Sequence, residues 1–257
     1  MKINIRFLGT GTSHGVPKLN CDCAVCSSDD PRNRRMRSSI YIEYAGKGVL
    51  VDTSADFREQ ALRYGVKRLD AILFTHAHAD HLHGIDDIRA YQKKDSPPIE
   101  CYAIPSFCEE VRQRFDYIFL GKMPIGGGTP RVSLTPVTGP FDLFGLVFEP
   151  LMVVHGEKGT AGFRFGNCAY IPDFKTIPSV TFERMGGLDL LVIDALRYRP
   201  HLTHSSIPES LEIISKLKPA RAYLTHIDHE VDHADASEKL RGAAIIAYDG
   251  LSVEAEI

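Results

Sequence analysis

No run in this 257-residue chain approaches the roughly 18 consecutive apolar residues of a membrane helix, so no membrane partner is expected. A strong charge of either sign is also missing. Thirty Lys plus Arg stand against 33 Asp plus Glu, a formal charge of −3 with histidine neutral. That balance argues against broad electrostatic capture of nucleic acid, and no stable nucleic-acid partner is expected, whereas a small phosphate ester held by metals remains compatible with it. The first residues, Met1 to Pro17, carry no basic leader followed by a long apolar region, and run directly into strand-like alternation. A cytoplasmic protein is the expectation. Its six cysteines then read as reduced thiols rather than three disulfides. Repeats and low-complexity linkers are absent as well. With 44% apolar and 25% charged residues the composition is ordinary for a globular protein, and one domain over 1–257 is the economical reading.

Strand-like and helical patterns alternate along the chain. Ile3, Ile5 and Phe7 alternate with polar neighbours, as do Ile40, Ile42 and Tyr44, and Val49 to Asp52 adds a short strand. The patterns predict a helix over Asp56 to Tyr64, a buried strand over Leu69 to Phe74, and one helix over Ile104 to Phe119 behind Pro105. Strands are predicted at Val132 to Val137 and Leu143 to Val154, with a hairpin around Gly166-Asn167. Between them, Gly121 to Pro130 reads as a loop, and Met123 to Pro130 offers a rim or a dimer contact. In the last third, strands at Leu188 to Ile193 and Ala220 to Thr225 alternate with helices at Ile207 to Leu217 and Asp232 to Arg241, and Ser205 or Ser206 caps the first of these. Short strands at Ala243 to Ala247 and Ser252 to Glu256 close the chain. Hairpins mixed with strand–helix–strand units imply an α/β protein of two packed sheets with helices outside.

The decisive segment is His76-Ala77-His78-Ala79-Asp80-His81, directly behind an apolar strand. Burying that many imidazoles and a carboxylate without partners is costly, whereas nitrogen and oxygen donors at this spacing suit borderline divalent cations. His155, Asp173 and His226 each follow a strand, so strand ends can deliver donors remote in sequence to one sheet edge. Two close cations sharing a hydroxide would lower its pKa and activate it against an ester. Separately, Cys21-x-Cys23-x-x-Cys26 offers three thiols for a tetrahedral zinc. His229, three residues beyond His226, is the best fourth donor, and such a site would tie down the loop at about 20–37. Gly9-Thr10-Gly11-Thr12-Ser13-His14-Gly15 exposes backbone amides and hydroxyls, but no lysine completes a Walker motif. Arg197 to Ser206 places two arginines, His201 and His204 just before a helix, where an anion is favoured.

The His76–His81 motif, with His155, Asp173 and His226 in that order, resembles the HxHxDH signature of the metallo-β-lactamase superfamily, over Gly9 to His229. The resemblance implies an αββα sandwich, two mixed sheets flanked by helices. It implies that His76, His78 and His155 hold one divalent metal, that Asp80, His81 and His226 hold a second, and that Asp173 bridges them. The metals would be Zn²⁺ or Mn²⁺. The added cysteine cluster, a structural zinc site with His229, is similar to the cyclic-phosphodiesterase family of the bacterial carbon–phosphorus lyase pathway. By that likeness His204 is the general acid, with His201 as its competitor, and Asp80 and Asp173 complete the catalytic set. Thr12, Ser13 and His14 would line the site with His201 and His204, and Asp52 and Asp194 would accept hydrogen bonds from the imidazoles.

The implied activity is hydrolysis of a small cyclic phosphodiester, a cyclic nucleotide or ribose cyclic phosphate, to a phosphomonoester, in a homodimer. A tRNA 3′-processing nuclease is the main alternative. Its usual arm is missing, because only 17 residues separate His155 from Asp173. A quinone-cofactor biosynthesis protein and a non-catalytic metal-binding scaffold are lesser alternatives.

Overall fold

The computed structural model describes residues 1–93, 95–120 and 128–257. Most of the expected loop and rim at 121–130 therefore lies outside the described residues. The first half carries β1 (Lys2–Gly9), β2 (Ser39–Tyr44), β3 (Lys47–Val51), α1 (Phe57–Tyr64), β4 (Ala71–Leu73), α2 (Ala79–Leu82), β5 (Ile99–Ala103), α3 (Pro105–Arg114), α4 (Asp116–Phe119) and β6 (Val132–Pro136). The second carries β7 (Phe141–Leu143), β8 (Leu146–His155), β9 (Lys158–Phe165), β10 (Cys168–Ile171), α5 (Ser179–Arg184), β11 (Leu190–Asp194), α6 (Ile207–Leu217), β12 (Arg221–Thr225), α7 (His233–Leu240), β13 (Ile245–Ile246) and β14 (Ser252–Glu256).

Among the described residues the strands form two seven-stranded mixed sheets, ordered β14-β1-β2-β3-β4-β5-β6 and β13-β12-β11-β10-β9-β8-β7. Helices cover both outer faces, which is the expected αββα sandwich. Strand alternation sets the layers. Ile3, Ile5 and Phe7 of β1 meet Phe163, Phe165, Leu190 and Val192 between the sheets. Leu50 and Ile72 face outward onto Phe57, Phe107 and Val111. Leu191 and Ile193 face outward the other way, onto Ile207, Ile214 and Leu240. Phe163 is fully buried in the middle layer. Its replacement by alanine is expected to cost about 3–5 kcal/mol and roughly 10 °C in Tm, read by thermal unfolding.

Three predicted elements need correction. The helix expected over Ile104 to Phe119 is interrupted at Phe115, whose φ of −123° and ψ of 44° leave the helical region. The strand expected over Leu143 to Val154 is the β7–β8 hairpin, because Phe144 (φ 54°) and Gly145 (φ 86°) turn the chain. The hairpin around Gly166 forms as expected, but its first strand, β9, starts earlier, at Lys158, and pairs with β8 from Phe148 to His155. At α6 the cap is Ser206, which forms a reciprocal capping box with Glu209. Ser205 instead meets Ser210 Oγ at 2.7 Å.

Strand direction decides where the chemistry gathers. β3 and β4 run parallel, as do β10, β11 and β12, while β8 is restored to the same sense through antiparallel β9. Their C-terminal ends therefore share one edge of the sandwich, and Asp52, His76, His155, Asp173, Asp194 and His226 lie at or just beyond those ends.

Candidate metal centre and substrate cleft

Four donors from three segments converge first. One ligand atom each from His76, His78, His155 and Asp173 lies within 4.8 Å of the others. Asp80, His81, Asp173 and His226 form a second group to the same limit. Asp173 belongs to both. Its Oδ2 faces His76 Nε2 at 3.7 Å and His155 Nε2 at 4.0 Å, while its Oδ1 stands 3.3 Å from both His81 Nε2 and His226 Nε2. The buried atoms His81 Nε2, His226 Nε2 and Asp173 Oδ1 nevertheless make no hydrogen bond. Buried lone-pair donors that converge without satisfying one another fit a pair of cations, and their nitrogen and oxygen chemistry suits Zn²⁺ or Mn²⁺.

The surroundings hold these rings at their far nitrogens. His81 Nδ1 meets Asp52 Oδ2 at 2.7 Å, and Asp52 also accepts from Thr75 N and Thr75 Oγ1, both at 2.8 Å. His155 Nδ1 donates to Thr203 O at 2.8 Å. Asp52 and His226 are non-glycine residues at φ 68° and 60°, a left-handed backbone that packing must enforce. Burial opposes a charge on His81, but Asp173, Asp80 and Asp52 together outweigh it and hold its pKa well above the usual imidazole value. Burial and the neighbouring His81 hold His76 well below that value. For Asp173, burial is overcome by His226 and His81, which keep the carboxyl well below the ordinary range. Bound cations would compensate these clustered carboxylates.

A family model described as a beta-lactamase superfamily domain matches residues 47–227, more than half of the chain and the stretch that holds both donor groups. The chain belongs to the metallo-β-lactamase superfamily. Within it the chain is PhnP-like: a crystal structure of a new diphosphatase from the PhnP family is 42% identical, with a TM-score of 0.92, and the match covers 99% of this chain and 98% of that one. An octanoyltransferase of Porphyromonas gingivalis is 37% identical over 250 residues, which cover 95% of this chain and 50% of that protein. The chain thus spans about half the length of that relative. A coenzyme PQQ synthesis protein B of Methylorubrum extorquens (strain PA1) is 31% identical over 306 residues, covering 98% of this chain and 100% of that protein.

This metallo-β-lactamase superfamily member carries a second, separate donor set. Cys21, Cys23, Cys26 and His229 come together within 4.8 Å, and His229 Nδ1 lies 3.4 Å from the sulfurs of Cys21 and Cys23. Three thiols and one imidazole, with no fifth protein donor among the described residues, make a donor set suited to a tetrahedral structural zinc. His229 holds the Cys23 thiol down at about 6, while burial pushes the Cys26 thiol up to about 11. A thiol depressed in the folded protein adds stability above its unfolded pKa near 9, and that stability is lost as pH falls through about 6. Thiolate donors must be deprotonated to hold the metal, so zinc content is expected to fall as pH is lowered. Cys23→Ser should lose that zinc at neutral pH and lower Tm by about 5 °C or more, with new proteolytic nicking at 20–37, while the catalytic metals stay.

On the outer side of the metal edge lies a cleft of about 380 Å³, and Thr12, Ser13, His14, His201 and His204 all line it. His204 sits closest to the donors. Its ring stacks on His226 at 4.7 Å between centroids and stands 4.5 Å from His155, and its Nδ1 meets Asp194 Oδ2 at 2.9 Å. Asp194 therefore pairs with His204 rather than with a donor imidazole as expected, since His226 Nδ1 is 3.8 Å from its other oxygen. His201 stands farther out, 5.2 Å from His204 between centroids, and accepts from Thr203 N at 3.3 Å. The glycines of the first loop answer a packing need: a Cβ at Gly9 would collide with Arg37 O.

Sequence reasoning missed Arg114 and Glu230 at this edge. Arg114 of α3 donates to Ala77 O and braces the His76–His78 turn. Arg197 and Arg199 are held on the cleft wall by Glu230, at 2.9 Å and 2.7 Å. Nothing in local spacing marks these contacts, although the two arginines before α6 drew attention as anion binders.

Proposed function

We propose that this PhnP-like protein is a metal-dependent phosphodiesterase that opens small cyclic phosphodiesters to phosphomonoesters. The observation that carries the reading is His204, stacked over the donor clusters with its Nδ1 tied to Asp194 and its ring facing a cleft sized for a small molecule. His76, His78, His155 and Asp173 would hold one divalent cation, and Asp80, His81, His226 and the shared Asp173 the other. When bound, Zn²⁺ or Mn²⁺ supplies Lewis acidity toward the phosphate and an activated water. The chain's own residues do the rest. Thr12, Ser13, His14 and His201 line the cleft and would orient the ester. Asp194 holds His204 at Nδ1 and leaves Nε2 free, so that His204 in its protonated, imidazolium form would deliver the Nε2 proton to the departing alkoxide as the P–O bond breaks.

A second reading, hydrolysis of a diphosphate, is supported by the activity named for the 42% identical relative. Both reactions break a P–O bond at the same edge. The deciding experiment is a turnover screen with Mn²⁺ and with Zn²⁺ on 2′,3′- and 3′,5′-cyclic nucleotides, a ribose 1,2-cyclic phosphate, a nucleoside diphosphate, a pre-tRNA and a thioester. Preferred cleavage of a cyclic phosphate is expected. Turnover confined to the diphosphate would select the second reading. Silence on every ester with both metal sites full would reject both, in favour of the PQQ-synthesis relatives.

We further propose one hydrolase domain over 1–257, a homodimer and a cytoplasmic setting. Among the described residues no helix is long and apolar enough to cross a membrane, and all six cysteines are free, which suits a reducing compartment. Sedimentation velocity tests the dimer.

A further inference from the structure

The Thr12–His14 segment belongs to no helix or strand, yet it forms a wall of the cleft. A buried polar anchor lies behind it. The Arg35 side chain is only 2% exposed, and no carboxylate pairs with it directly among the described residues. Its Nη1 donates to Thr10 Oγ1 at 2.8 Å and to Ala247 O at 2.5 Å, and Nη2 donates to His233 Nδ1 at 3.2 Å. Thr10 Oγ1 donates in turn to Asp249 Oδ1 at 2.7 Å, and Thr10 N reaches the same oxygen at 2.8 Å. The other oxygen of Asp249 accepts from Met36 N at 2.6 Å. One hydroxyl thus stands between a buried cation and a half-buried carboxylate, accepting from one and donating to the other.

From this point the loop is strung outward. Gly11 N donates to Met36 O at 2.8 Å, Arg37 Nε to Ser13 O at 2.9 Å, and Thr12 N to Ile227 O at 3.1 Å. Ile227 N returns a bond to Thr10 O at 2.8 Å, and Ile227 directly follows the metal-facing His226. The same anchor therefore touches the cleft wall and the turn that aims His226.

We propose that Thr10, with Arg35 and Asp249 on either side of its hydroxyl, is a positioning residue that sets the Thr12–His14 wall against the His226 turn. The inference rests on the proposed reading of that wall as the substrate-facing side. Thr10→Val keeps the shape and removes the hydroxyl, and Thr10→Ser keeps the hydroxyl. On a 2′,3′-cyclic nucleotide, Thr10→Val is expected to raise KM about 10–100-fold with kcat and metal content held, and Thr10→Ser to restore KM. Amide hydrogen exchange at Gly11, Thr12 and Gly15 should quicken in Thr10→Val alone. Unchanged KM would overturn the proposal, as would kcat, Tm and metal content falling together, which marks a merely structural role. If the unaltered protein cleaves no phosphodiester, the functional reading fails by itself; the exchange measurement then decides the anchor, and unchanged exchange would overturn it.

Discussion

Asp173→Ala is expected to lower kcat/KM on a cyclic phosphodiester at least ~10³-fold and to take the catalytic metal content from about two equivalents to no more than one. The size of the effect follows from position. Asp173 is the one residue shared by the two donor groups, with Oδ2 turned to His76 and His155 and Oδ1 turned to His81 and His226. Removing it takes a donor from each group and leaves buried imidazoles facing one another. Any cations retained would then repel across the gap without the shared carboxylate. Elemental analysis separates the outcomes, because the zinc at Cys21, Cys23, Cys26 and His229 is built from other residues and should persist in the variant. Two catalytic equivalents and near-normal turnover in Asp173→Ala would refute the bridging role.

His204→Ala is expected to lower kcat ~10²–10⁴-fold while both catalytic metals stay bound. Here the contact pattern predicts a split between binding and chemistry. His204 is not needed to complete either donor group around Asp173, but it stacks on one member of the second group and is oriented by buried Asp194. An alkoxide leaving group needs a proton, whereas a nitrophenolate does not. The loss should therefore shrink to about tenfold or less on a bis(4-nitrophenyl) ester. An equal loss on both substrates would point to misplacement of His226 rather than lost proton delivery. His201→Ala, farther from the donors, should act mainly on KM.

The two largest effects thus fall on residues whose types are conspicuous in the chain. The run His76-Ala77-His78-Ala79-Asp80-His81 needs no tertiary information to declare donor chemistry, because so many polar groups behind an apolar strand demand partners. The cysteine spacing is equally local. Strand-end placement of His155, Asp173 and His226 was legible because buried strands read as apolar runs with abrupt polar ends. The sharing of Asp173 came from family resemblance, since no spacing within one chain tells which carboxylate lies between two distant clusters.

Other features had no local signal at all. Phe115 looks helical in a periodic window, yet its backbone leaves the helix there. Phe144 carries no turn signature, although it adopts φ 54° to reverse the chain. The Arg35–Thr10–Asp249 anchor joins residues up to 239 apart, and the Arg114 bond to Ala77 spans 37 positions. The sequence by itself determined the alternation of layers, the donor types and their order, because periodicity and side-chain chemistry are properties of short stretches. Only the tertiary structure decided which donors share an atom's reach, which histidine leans over them and what holds the cleft wall. Those are distances between segments, and parallel strand direction and long-range hydrogen bonds set them where the chain's own spacing carries no record.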